Sequence, residues 1–375
     1  MNQGFYLTLM IGGFNADPVP EAVIDALTEV RVTTTMGSQG GFQLKFSYGR
    51  NSQFAQLHAS GYFDPRRRVI VAVTVNGDTE VLMDGIITKQ DLTPSNTAGK
   101  ATLAITGLDL TALMDLIDLT GIPYPAMPMF CIVELILAKY LVLGVTPIAL
   151  PPLLALIQNP IAQFLKQDGT DYRYVNTLAG KVGAVFYLDP GPTPGRSTAY
   201  WGPDLTKLFG GVQPAMSINF DGSSTLESLS FSYDGTLASD YLVTIIEPNT
   251  GLPIPIPLPD ISLLKAPQAA NSPTPLKYTQ LRPIASEDPI GAALAGLSKL
   301  FESADVVTAS GGVDVLRYGR ILKARQLCGV RGGGPYYDGL YYVKSVTHNI
   351  KRGEYKQNFT LARGGTGSTV GTVSV

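Results

Sequence analysis

The sequence predicts a mainly β protein with an α/β insertion: two tube-like antiparallel β-barrel domains plus a small α/β region. Three observations predict it. Valine, threonine and tyrosine recur in short runs, and these residue types fit a pleated surface. Apolar and polar residues alternate with period two in several runs, as a strand with one buried face requires. Forty glycines and 27 prolines supply many turns.

The chain has 375 residues, which reads as about two to four units. Charged residues make up 15%, well below the usual share of about a quarter. Such a surface is expected where a subunit buries area against neighbours. The net charge of −2 gives no global attraction to nucleic acid or membrane. Two cysteines, Cys131 and Cys328, exclude a disulfide scaffold and a CxxC metal site, and fit a reducing compartment. The N-terminus lacks a basic segment and has only a short apolar run, so it is a poor secretion signal. The apolar stretch Ala126–Leu165 is interrupted by Glu134, Lys139, Pro147, Pro151, Pro152 and Pro160. It predicts a buried or interface helix and an irregular segment, with no membrane span.

Residues 1–108 read as the first β-barrel domain, with 21–108 as strands. Phe42, Leu44 and Phe46 alternate with polar residues, and Asn76-Gly77-Asp78 separates two β runs as a hairpin turn. Residues 109–205 read as the α/β region, with helices over 109–119 and about 129–143. Asp171 reads as the cap of a third helix carrying Tyr174, Val175 and Leu178, with Gly183 in the left-handed position at its end. The strand Ala184–Leu188 follows.

Residues 206–246 read as the first part of the second β-barrel domain. Residues 247–288 form a proline-rich arm, where Pro253, Pro255, Pro257 and Pro259 force extended backbone. Residues 289–365 hold a helix and the remainder of the second barrel, and 366–375 a C-terminal tail. Asp288-Pro289 begin that helix, with the stripe Ile290, Leu294, Leu297 and Phe301. The last two strands form a hairpin. Tyr342, Val346 and Ile350 share a face of one, Tyr355, Phe359 and Leu361 a face of the other, and Lys351-Arg352-Gly353-Glu354 make the turn. A weak echo links Asp84-Gly85, Gly99 and Thr102-Leu103-Ala104 with Asp338-Gly339, Gly353 and Thr360-Leu361-Ala362.

No strong signal for catalysis emerges. His58 and His348 are isolated and read as hydrogen-bonded structural histidines, with Lys344 and Tyr342 on the same face as His348. No GxSxG elbow is present, no pair of carboxylates is set apart, and the glycine-rich "GVRGGGPYYDG" lacks the GK[ST] of a phosphate loop and reads as a flexible turn. Asp314 to Arg363 carries ten Lys/Arg against three Asp/Glu, which reads as a solvated or partner-facing surface, not a specific nucleic-acid site.

The C-terminal run resembles the late-control-D family of baseplate hubs, which includes phage hub proteins and the N-terminal part of VgrG spikes. The residues that carry the resemblance are Asp338, Gly339, Tyr342, Val343, Val346, His348, Gly353, Tyr355, Phe359, Leu361 and Arg363. The stretch "DGTDYRYVNTLAGKVGAVFYLD" is similar to a second element of that family. The resemblance implies a non-enzymatic homotrimer that joins a six-fold inner tube to a three-fold spike. It implies no catalytic, cofactor-binding or metal residues and no cofactor. Its partners would be a separate spike protein and an inner tube protein or tube initiator, with tape-measure and baseplate wedge proteins as further contacts. The chain would be made in the cytoplasm and built into a phage tail or contractile injection particle. The spike is expected as a separate polypeptide because the sequence ends shortly after the hub motif. The alternative from another class is a tail-associated cell-wall hydrolase. A third reading, a membrane β-barrel or surface adhesin, lacks the expected signal peptide.

Overall fold

Strands begin earlier than the sequence predicts. The computed structural model describes residues 4–97, 100–151, 164–204, 211–218, 224–246, 253–257, 269–271, 273–274, 276–281 and 305–368. In the first β unit, β1 (Phe5–Gly12) and β2 (Ala16–Pro18) precede a short helix α1 (Glu21–Ala26). The reading of 21–108 as strands alone is therefore corrected. β3 (Leu27–Thr35) and β4 (Gly41–Ser47) follow, then α2 (Gln53–Ala59). The Ser52 hydroxyl starts α2 by accepting the Ala55 N–H at 3.1 Å. β5 (Arg68–Val75) and β6 (Asp78–Thr93) are joined as predicted: Asn76 and Gly77 have φ of 52° and 93°, the positive pair of a tight hairpin turn. β7 (Thr102–Asp109) completes the unit.

The α/β region contains α3 (Thr111–Met114), β8 (Pro123–Pro125), α4 (Met129–Ala138), β9 (Val145–Ala149), β10 (Phe164–Lys166), α5 (Asp171–Val182), β11 (Val185–Pro190) and β12 (Ser197–Gly202). Both predicted early helices are shorter than expected. α4 gives way to a single 3-10 turn at Leu141–Leu143, and Gly144 with φ 80° turns the chain into β9. Thr170, not Asp171, caps α5, accepting the Arg173 N–H. Asp171 is instead the first helical residue and is buried. Its oxygens accept from Gln167 and Tyr140 at 2.8 Å each. Gly183 has φ 64° and ends the helix as predicted, and Tyr174, Val175 and Leu178 are buried.

The second β unit holds β13 (Val212–Ser217), β14 (Leu226–Tyr233), β18 (Val307–Asp314), the short helix α6 (Val315–Tyr318), β19 (Leu327–Arg331), β20 (Gly339–Lys351) and β21 (Glu354–Arg363). β15 (Ser239–Ile246) leaves the main sheet. It pairs antiparallel with β16 (Pro253–Pro257) and parallel with β17 (Lys277–Leu281). Pro253, Pro255 and Pro257 are extended as predicted, but they form part of a small sheet apart from the main one, and Pro259 lies outside the described residues. The helix predicted from Asp288-Pro289 lies outside the described residues.

The main sheet has thirteen strands. Its path runs β14-β18-β21-β20-β3-β4-β7-β6-β5-β1-β2, with β19 and β13 branching from β20. The two β units are therefore joined edge to edge, and no described strand pairing closes either unit on itself. The cause lies in β20, which is thirteen residues long. Its first part pairs with β19 and its last part, Ser345 to Lys351, with β3. A register shift between Val343 and Ser345 separates the two. The proposed echo is not positional: Asp84-Gly85 lies inside β6, whereas Asp338-Gly339 opens β20.

Candidate functional site

The C-terminal hairpin is the joint between two hydrophobic cores. Ile350 and Tyr355, near its tip, belong to the core of the first β unit with Leu9, Val32 and Leu44. Val346, Phe359 and Leu361 belong to the core of the second with Val307 and Val330. Strand alternation puts these residues on one side of a single hairpin, and its length lets it reach both cores. The turn is Arg352-Gly353, where Gly353 has φ 75°.

The bulge corrects the predicted faces. Ahead of it Tyr341 and Val343 face the second core, while Tyr342 is buried on the other side. Lys344, the extra residue of the bulge, reaches Asp305 at 3.2 Å. His348 is 5% exposed. Its Nδ1 lies 2.7 Å from the Tyr355 hydroxyl and 3.3 Å from Gln357 Nε2. Burial pushes its pKa down to about 3, so the ring stays neutral near neutral pH. Gln357, a residue the sequence reading did not single out, fixes the backbone of Leu322 by accepting its N–H and donating to its carbonyl, at 2.9 and 2.8 Å. A glutamine between Tyr355 and Phe359 on an otherwise apolar strand face was the available signal.

Asp338, Gly339 and Arg363 meet at the other end. Arg363 is fully buried, against the expectation that the basic residues face outward. Its guanidinium donates to the carbonyls of Asp338 at 3.0 Å and Tyr336 at 2.7 Å, and stacks 4.6 Å from the Tyr341 ring centre. Gly339 has φ 137°, and a Cβ there would stand 2.7 Å from Arg363 Nη1. Asp338 Oδ1 accepts the Gly333 N–H at 2.7 Å. The glycine-rich turn is thus tied by hydrogen bonds at Gly333, Tyr336 and Asp338.

Much of the basic excess is neutralised. Lys323 pairs with Glu80, Lys356 with Glu227 and Glu354, and Arg352 approaches Asp25. Arg325 is buried between three parts of the chain. It donates to Leu188 O at 3.3 Å and lies 4.2 Å from the Tyr187 ring centre. Elsewhere Arg68 and Asp84 form a buried bidentate pair at 2.7 and 2.6 Å, and Arg68 also donates to carbonyls of Phe14, Leu143 and Gly195. His58 is hydrogen-bonded to Gln90 at 2.8 Å, as a structural histidine should be. Among the described residues, no group of three His, Cys, Asp or Glu could hold a metal, and no helix is long and apolar enough to cross a membrane.

The side of the sheet away from the cores is paved with hydroxyls. Ser230, Ser310, Thr360, Ser345 and Thr35 form one row across five strands. Ser228, Gly312, Asn358, Thr347 and Thr33 form the next. Ser230–Ser310 and Thr33–Thr347 are hydrogen-bonded at 3.0 and 3.1 Å. An open hollow of about 470 Å³ lies over these rows.

No protein-family model and no curated protein matches the chain. Solved structures do. A tail protein from Neisseria meningitidis MC58 superposes with a TM-score of 0.63 at 13% identity, covering 96% of each chain. The 43 kDa tail protein of prophage MuSo2 from Shewanella oneidensis gives 0.61 at 16% identity, covering 96% of this chain and 98% of that one. The chain has the fold of these tail proteins. The E. coli c3393 protein, described as a component of the type VI secretion system with structural similarity to T4 bacteriophage tail proteins, gives 0.52 at 11% identity over 90% of this chain and 73% of its own. The tail-protein fold therefore accounts for nearly the whole chain, from β1 through the α/β region to the final hairpin.

Proposed function

We propose that the chain is a non-enzymatic baseplate hub, a homotrimer that joins an inner tube to a spike in a phage tail or contractile injection particle. The observation that carries this reading is one run of antiparallel strands whose two ends have no further strand partner among the described residues. From β14 to β6 the sheet crosses both β units without a break. At one end β14 pairs only with β18 among the described residues. At the other, β6 from Lys89 to Thr93 pairs only with β7 among the described residues. Neither edge carries proline or unbalanced charge: Glu227 pairs with Lys356, and Lys89 with Asp91 at 2.8 Å. Unprotected edges are templates for another strand.

If β14 of one copy adds to β6 of the next, the contact is head-to-tail, and a rotation of one third of a turn per copy closes three copies into a ring. The cores then lie outside and the hydroxyl rows line the passage. Three copies present six β units, which suits a six-fold tube on one side and a three-fold spike on the other. The tail-protein fold supports the same reading. The test is native mass measurement and negative-stain imaging of the purified chain, alone and with its tube and spike partners. A three-fold ring is expected. A chain that stays monomeric in every mixture overturns the reading.

A further inference from the structure

The β5–β6 turn lies at a contact between the two β units. Asn76-Gly77 is the single Asn-Gly pair in the sequence. Both residues are exposed, and nothing lies within 4 Å of where a Cβ on Gly77 would stand. The Asn76 amide does have a task. Its Nδ2 donates to the carbonyl of Gly319 at 3.0 Å, on the segment between β18 and β19. Close by, Lys323 of the same segment meets Glu80 of β6 at 2.7 Å. One amide donor and one ion pair thus tie the hairpin tip to the second β unit.

We infer that Asn76 is a site of spontaneous deamidation, and that its conversion loosens this tie. The Gly77 backbone nitrogen gives its proton to solvent and attacks Asn76 Cγ. The new C–N bond forms as the Cγ–Nδ2 bond breaks, and ammonia leaves with a proton from water. Water then opens the succinimide at either carbonyl, giving aspartate or isoaspartate. One water is consumed and one ammonia released, with no other reagent. Glycine at 77 matters because it has no side chain to shield the attacking nitrogen. Either product sets a carboxylate where an N–H donated to Gly319 O, so attraction becomes repulsion. Isoaspartate also adds a methylene to the backbone of a two-residue turn that sets the register of β5 and β6.

The purified full chain is aged in mildly alkaline buffer at body temperature and mapped by peptide mass spectrometry. The expected result is the mass gain of deamidation at Asn76 before other asparagines, with isoaspartate among the products. Asn76→Asp provides the second measurement: amide exchange over 319–323 should rise several-fold in a chain that remains folded. An Asn76 that stays intact while other asparagines convert overturns the assignment of the site. Exchange at 319–323 unchanged in Asn76→Asp overturns the loosening. Neither result depends on ring assembly.

Discussion

The Tyr355 hydroxyl and His348 Nδ1 lie 2.7 Å apart across the β20–β21 pair, where the cores of the two β units meet. The imidazole is buried there in its neutral form. Its pKa is about 3 against 6.5 for a free histidine. The unfolded chain therefore binds the extra proton between these values, and stability falls as pH drops from 6.5 towards 3. Above that window the contribution is fully present. Denaturant unfolding at about pH 7 and about pH 4 should show a loss of roughly 3 kcal/mol from this residue. His348→Gln keeps a polar group and should remove that part of the pH dependence. An equally steep dependence in the variant would contradict the assignment.

Truncations along the hairpin should report on both cores. Ile350→Ala opens a cavity in the first core and Phe359→Ala one in the second. Each should cost about 2–5 kcal/mol in urea unfolding. Amide exchange should rise in β3 and β4 for the first, and in β18 and β19 for the second. A variant whose effect stays within the hairpin would argue against its role as a joint.

Arg363 should not be replaceable by lysine. Lysine cannot reproduce the planar fork that reaches Asp338 O and Tyr336 O while stacking on Tyr341. Arg363→Lys should destabilise by roughly 1–3 kcal/mol, because two part-buried carbonyls lose a charged donor. Exchange should increase over 332–338. Wild-type melting in this variant would show that the buried guanidinium does not hold the turn.

The Arg68–Asp84 pair can be tested by comparing one loss with two. Asp84→Ala leaves a buried guanidinium without its carboxylate and should cost about 3–5 kcal/mol. Replacing both residues with apolar side chains of similar volume should cost much less. Thermal melts of the single and double variants decide it. Equal destabilisation would mean that Arg68 acts mainly through the carbonyls of Phe14, Leu143 and Gly195.

Local patterns were the legible part of this fold. Gly353, Gly183 and Asn76-Gly77 marked their turns because each needs positive φ. Alternation placed Tyr355, Phe359 and Leu361 on one face. The bulge before Ser345 was not legible, because it depends on which strand β20 must reach next. The pairing of β20 with β3 joins residues more than three hundred positions apart, and nothing local encodes that register. Arg363 was misplaced because arginine is seldom fully buried unless paired, and its partners are backbone carbonyls that composition cannot reveal. α2 was missed as a short amphipathic segment among strands, although Ser52 was a readable cap.

Cross-linking between copies tests the central claim most directly. Cysteines are placed singly on β14 (Ser228→Cys, Ser230→Cys or Ser232→Cys) and on β6 (Lys89→Cys, Asp91→Cys or Thr93→Cys), in a Cys131→Ser background. A β14 variant and a β6 variant are then mixed, assembled and oxidised. Head-to-tail strand addition predicts disulfides between the two kinds of variant at one register, in the trimer fraction, and none between like variants. A three-fold ring in which no β14 cysteine ever bonds to a β6 cysteine would contradict it.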